Sequence, residues 1–186
     1  MKKFLVVLIA ALSAHIASAQ TYTIEPTGIG PVKVGMNYKK LPKSVPGLYD
    51  RIEACEMYDE MEDETSYFIQ FFQNDTQTMY AHGDESGNIY RVYGDVKSLR
   101  TQSGAYPKML ARDFIVLPGV VTLFKPKADE LYQVTFEIDG VPVNIERYHY
   151  TPAGERKIKN ALRTRVKPKF VPADFVPEAW IFLGGY

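Results

Sequence analysis

Only one cysteine, Cys55, occurs in the whole chain. An intrachain disulfide is therefore excluded, and stability has to come from packing. No excess of charge is present either, with 22 basic residues against 22 acidic ones. That balance removes the whole-molecule attraction to nucleic acid that a basic chain would have. After residue 19, no apolar run approaches the roughly 20 residues that a membrane-spanning helix needs. Catalytic signatures are missing too: neither a Gly-x-Ser-x-Gly elbow nor a Ser-x-x-Lys pair occurs.

Nucleotide-binding loops are absent as well, although residues 27–43, "TGIGPVKVGMNYKKLPK", imitate one. Gly30 and Gly35 have the spacing of a phosphate loop, but Met36 and Asn37 stand where lysine and a hydroxyl are required. The dinucleotide pattern needs a third glycine where Lys33 stands, and Pro31 has no N–H to donate. The glycines are expected to turn the chain between a strand in "YTIEP" and a short returning strand in "VKVG". Asn37 is expected to cap a helical turn that Pro42 interrupts.

What is present begins with an export signal. In "MKKFLVVLIAALSAHIASA", Lys2 and Lys3 precede an apolar run, and Ala17, Ser18 and Ala19 form a small-x-small cleavage site. We expect 1–19 to be a cleaved signal peptide and 20–186 a single domain, periplasmic or secreted and not integral to the membrane. Without Lys2 and Lys3 that domain has 20 basic residues against 22 acidic ones. The 13% aromatic content of the whole chain points to Tyr and Phe rings carried on strands.

The clearest fold signal lies in "LYQVTFEIDGVPVNIERYHY", 131–150. Tyr132, Val134, Phe136 and Ile138 alternate with polar residues, and Asp139 and Gly140 suit a two-residue type I′ turn. This register sets Ile138 opposite Val141, Phe136 opposite Val143, Val134 opposite Ile145 and Tyr132 opposite Arg147. Slipping it by one residue would mix the two faces. A meander is expected from strands at 67–73, 77–82 and 88–93, and the Pro-dense tail is expected to cross the surface and add a last strand. Helices are expected in "PKMLARDFIVLPG", with Pro107 in the first turn, and in "GERKIKNALRTRV". A weak internal repeat sets about 28–95 beside about 104–150, with Tyr67, Ile69 and Phe71 echoing Tyr132, Val134 and Phe136. The fold class expected is α+β: an antiparallel sheet from two weakly similar halves, with short helices packed on one face.

The stretch "GIGPVKVGMN", 28–37, resembles the opening of strand-to-helix units in small exported bacterial proteins of uncharacterised role. In those a Gly-Met step leads from a short strand into a helix. The resemblance covers about ten residues and implies a compartment and a fold only. It brings no catalytic residues with it.

Candidates for chemistry are few. Cys55 lies among Glu53, Glu56 and the acidic run to Glu64, where carboxylates disfavour a thiolate, so an inert or small buried thiol is expected, with an intermolecular disulfide as the alternative. The run lacks the glycine and ligand spacing of a calcium loop and is read as a solvated face or loop. Weak metal or acid–base candidates are His82, Asp84 and His149, should the two strand ends meet. Arg156, Lys157, Lys159, Arg163, Arg165, Lys167 and Lys169 are expected to form an exposed basic stripe for an envelope protein or an anionic polymer. No cofactor is implied. These readings point to an exported, non-catalytic binding protein of the bacterial cell envelope. The alternative is an envelope hydrolase or metal-binding protein using His82 and His149, and an eight-stranded outer-membrane barrel ending on Trp180, Phe182 and Tyr186 is third.

Overall fold

A computed structural model describes residues 21–59, 64–126 and 132–185. The hairpin centred on Asp139 and Gly140 follows directly from its sequence. Both residues take positive φ, 54° and 77°, as a type I′ turn requires. They join β9 (Tyr132–Ile138) to β10 (Val141–Asn144), with Ile138 opposite Val141 and Phe136 opposite Val143. The expected pairs at Ile145 and Arg147 do not form, because β10 stops at Asn144 and the chain enters a 3-10 turn at Arg147–His149.

Six further strands complete one antiparallel sheet. They are β4 (Arg51–Asp59), β5 (Glu64–Gln73), β6 (Thr76–Gly83), β7 (Ile89–Gly94), β8 (Val121–Pro126) and β11 (Phe182–Gly185). Their order is β4-β5-β6-β7-β11-β10-β9-β8, so two four-strand runs meet at their last strands. Tyr93 stands opposite Gly184 at that seam. The second run takes its fourth strand from the tail, well beyond the expected unit at 104–150. Strands β4 and β8 are the two edges, so among the described residues the sheet is open rather than closed into a barrel. Among these residues, too, no helix is long and apolar enough to cross a membrane.

One face of this sheet is core. Phe71, Met79, Ala81, Val92, Leu183, Val143 and Phe136 are all fully buried on it. Over it lies a small sheet of β1 (Ile24–Glu25), β2 (Gly28–Ile29) and β3 (Val32–Lys33), contributing buried Ile24, Ile29 and Val32. The glycine-rich opening is this small sheet. Its amides are already used: Val34 N–H donates to the Thr27 carbonyl at 2.8 Å and Gly35 N–H to that of Ile89 at 2.7 Å. The Asn37 side chain accepts from Lys39 N–H and caps a 3-10 turn, Tyr38–Lys40.

Helices cover the rest of the same face, as the α+β reading expected. Helix α1 (Ala111–Phe114) is a single turn, shorter than foreseen. Lys108 takes a left-handed φ of 61°, and the backbone of 108–111 bonds to the tail instead, Ala111 N–H donating to the Ala179 carbonyl at 2.8 Å. Helix α2 (Pro152–Thr164) starts two residues early, because the Thr151 hydroxyl caps it by accepting from Gly154 N–H. The tail also departs from expectation, entering the core where a surface path was foreseen. Phe170, Phe175, Ala179, Ile181 and Leu183 are buried, and the rings of Phe170 and Phe175 meet Phe136 at 5.5 and 6.5 Å. Pro172 opens a 3-10 turn, Pro172–Asp174, so this proline shapes a bend between apolar anchors.

Candidate functional site: the aromatic face of the sheet

The small sheet and the helices all lie over the core face. An antiparallel sheet covered on one side ordinarily turns polar residues to water on the other. Here the opposite phase of the strands carries rings instead. Phe68 and Phe72 on β5, Tyr80 and His82 on β6, Tyr93 on β7 and Phe182 on β11 are all partly exposed, as is Trp180 just before β11. Cross-strand register assembles them: Phe68 opposes His82, and Tyr80 opposes Tyr93.

The rings form a row. Phe68 and His82 lie edge to face at 4.7 Å, and His82 and Tyr93 are 5.5 Å apart. Tyr93 stacks on Tyr80 at 4.8 Å, with only 16° between the planes. Tyr93 also covers Gly184, and two residues before that glycine Phe182 begins the second group, 4.3 Å from Trp180. His149 backs Trp180 at 5.8 Å. Such contacts hold each ring in one orientation, so the face is preorganised.

A polar chain runs along its margin. Gln70 Nε2 donates to Gln77 Oε1 at 2.8 Å, Gln77 Nε2 to Asp95 Oδ2 at 3.3 Å, and Lys108 Nζ meets Asp95 Oδ1 at 2.6 Å. Where this chain reaches the rings, Tyr80, Tyr93, Asp95, Lys108, Trp180 and Phe182 line a cleft of about 140 Å³. Burial pushes the Tyr80 phenol up to about 12, with Tyr93 and then Asp95 adding to the shift. The hydroxyl therefore stays protonated at neutral pH, able to donate and accept.

His82 lies within the row, between Phe68 and Tyr93, whereas His149 lies behind Trp180 in the second group. Burial, then Arg91, lowers the pKa of His82, so the imidazole is neutral at pH 7. His149 is buried against Tyr148 and Trp180, and its Nδ1 has no hydrogen-bond partner among the described residues. Asp84 takes no part in the row. Its carboxylate accepts from Asn88 N–H and Nδ2 at 2.8 and 2.9 Å, which fixes the β6–β7 turn and holds its pKa low. No group of three or more His, Cys, Asp or Glu residues is placed to hold a metal among the described residues.

Cys55 is exposed on edge strand β4, which corrects the expectation of a small buried thiol. The acidic run is β4 as far as Asp59 and strand again from Glu64, and residues 60–63 lie outside those described. The basic stripe is divided. Arg156, Lys159, Arg163, Arg165, Lys167 and Lys169 are exposed, but Lys157 is half-exposed and held in an ion pair, its Nζ 2.6 Å from buried Asp174. Val166, the last residue of the expected helix, is exposed and lies outside it, because α2 ends at Thr164 and Arg165 takes a left-handed φ of 57°.

The residues that sequence reasoning passed over are the rings of the second face. Their signal was available in "YFIQFFQ", 67–73, where aromatic residues occupy both phases of one strand. A half-buried strand needs only one apolar phase.

No family model matches the chain, and no curated protein matches it. Among solved structures, the crystal structure of the uncharacterized protein yfeY from Escherichia coli aligns over 87% of this chain and 98% of that one, at 14% identity and a TM-score of 0.43.

Proposed function

We propose that this is an exported, non-catalytic binding protein of the bacterial cell envelope that engages its ligand on the aromatic face of its sheet. The supporting observation is that face itself: a row of rings locked against one another, partly open, on the side of the sheet away from the helices. A row of partly exposed rings on a sheet face that is ordinarily polar supports an interaction site, and Tyr and Trp are among the residues that most often carry binding energy. Export is supported by the charge, apolar run and cleavage site in 1–19.

The test compares two sets of variants, each checked for a native circular dichroism spectrum, for retention in a washed envelope fraction. Phe72→Ser with Tyr80→Ser is expected to abolish retention. Arg163→Ala with Lys167→Ala is expected to leave it intact. Retention that follows the basic helix instead would overturn the assignment of the binding face.

A further inference from the structure

The geometry points to a ligand class: we infer that the cleft between Tyr80, Tyr93, Trp180 and Phe182 takes one sugar ring of a neutral oligosaccharide built from equatorially substituted pyranoses. This rests on the binding-face reading above and specifies what binds there. Three features of the cleft carry it.

The first is the shape of the walls. Four aromatic side chains line one recess, and none of the four ranks among the strongly exposed apolar side chains. A pyranose with equatorial hydroxyls has a flat patch of axial C–H groups on each side, which matches a ring face, whereas a protein partner would need a projecting side chain to enter so small a space.

The second is charge. Asp95 and Lys108 neutralise each other at 2.6 Å inside the cleft, so an anion meets Asp95 and a cation meets Lys108 without net gain. A ligand of many neutral hydroxyls fits both groups at once. Each Asp95 oxygen accepts one hydrogen bond from the protein and has a further lone pair, and Lys108 is half-exposed with donors to spare.

The third is the arrangement of donors and acceptors along one margin. Gln70, Gln77 and Asp95 form a hydrogen-bonded chain beside the rings, with Gln70 opposite Tyr80 in the sheet. A sugar lying on the rings turns its rim of hydroxyls toward that margin. A purely apolar ligand would leave the remaining hydrogen-bonding capacity of these groups unused.

Trp180 is the single tryptophan of the chain and lies in the cleft, so its emission reports on this site alone. The purified mature chain is titrated with cellotetraose and with chitotetraose. At least one is expected to shift Trp180 emission saturably, with a Kd on the order of 0.1–1 mM. Tyr80→Ala is expected to weaken that binding about tenfold, and Tyr80→Phe by less, because the ring face remains. Arg163→Ala is expected to leave it unchanged. If neither oligosaccharide shifts the emission while Phe72→Ser with Tyr80→Ser still abolishes envelope retention, the sugar assignment falls and the binding face stands. If those variants leave retention intact, the binding face falls. A shift that survives Tyr80→Ala undiminished places the sugar elsewhere and overturns the inference.

Discussion

Tyr93 lays its ring on the backbone of Gly184 at the seam between the two four-strand runs. A methyl group on Gly184 would stand 2.2 Å from Cδ1 of that ring. The seam and the aromatic face therefore share one contact. Gly184→Ala must drive the ring away from the sheet, at a cost of about 1–3 kcal/mol. Urea denaturation of Gly184→Ala, Tyr93→Ala and the double variant checks this. The two changes are expected to be non-additive, the double variant losing less than the sum, because removing the ring removes the clash.

Helix α2 supplies a case where propensity and packing disagree in sign. Gly154 lies in its first turn, where Gly→Ala ordinarily gains up to about 1 kcal/mol. A Cβ at this position would approach the Asp174 carbonyl oxygen to 2.4 Å, and that oxygen belongs to backbone. Gly154→Ala is expected to lower stability by about 1–3 kcal/mol despite the better propensity. An increase in melting temperature would show that the helix and the Pro172–Asp174 turn are not in contact.

Asp174 and Lys157 give a graded pair. The Asp174 carboxylate is buried and accepts from both Lys157 Nζ at 2.6 Å and Val171 N–H at 2.8 Å. Asp174→Ala removes the acceptor of both donors, but Lys157 stays half-exposed and still reaches the Lys169 carbonyl at 3.1 Å, so the expected cost is about 1–2 kcal/mol. Arg163→Ala, on the exposed side of the same helix, is expected to stay within about 0.5 kcal/mol of the wild type. Chemical denaturation of the two variants measures the contrast.

The pH dependence follows from His82. Its folded pKa lies below the ordinary value of 6.5, so below that value the unfolded chain binds more protons than the folded one. The stability that His82 contributes is whole above pH 6.5. It declines as the pH falls from there to the lowered folded value, then levels off. His82→Phe keeps a ring against Phe68 and cannot titrate. The urea midpoint of the wild type is expected to fall more than that of His82→Phe between about pH 7.5 and about pH 5.5. Equal falls would mean that His82 titrates as freely in the folded chain as in the unfolded one.

The parts of the fold that were legible in the sequence are local ones. Alternation around Asp139 and Gly140 set the register of the hairpin as far as Val143, because turn chemistry and face sorting agree within a dozen residues. Strands β5, β6 and β7 were legible for the same reason. Strand β4 was not: an edge strand is kept from pairing with other chains by charged residues, and Arg51, Glu53 and Glu56 read like a solvated loop. The tail was hidden by its prolines, and its buried residues Phe170, Phe175 and Ile181 find partners only once the sheet exists. The binding face was half legible. The aromatic content pointed to rings on strands, but placing Phe182 and Trp180 beside Tyr93 depends on β11 inserting next to β7, a pairing that no local pattern encodes.

The central claim is that ligand is bound on the aromatic face and not along the basic helix. It is tested most directly by placing a photo-crosslinking phenylalanine analogue at position 182 in one strain and at position 163 in another, then irradiating intact cells. The account predicts a discrete adduct from position 182, in the lining of the cleft, and none from position 163. Adducts from position 163 with none from position 182 would contradict it.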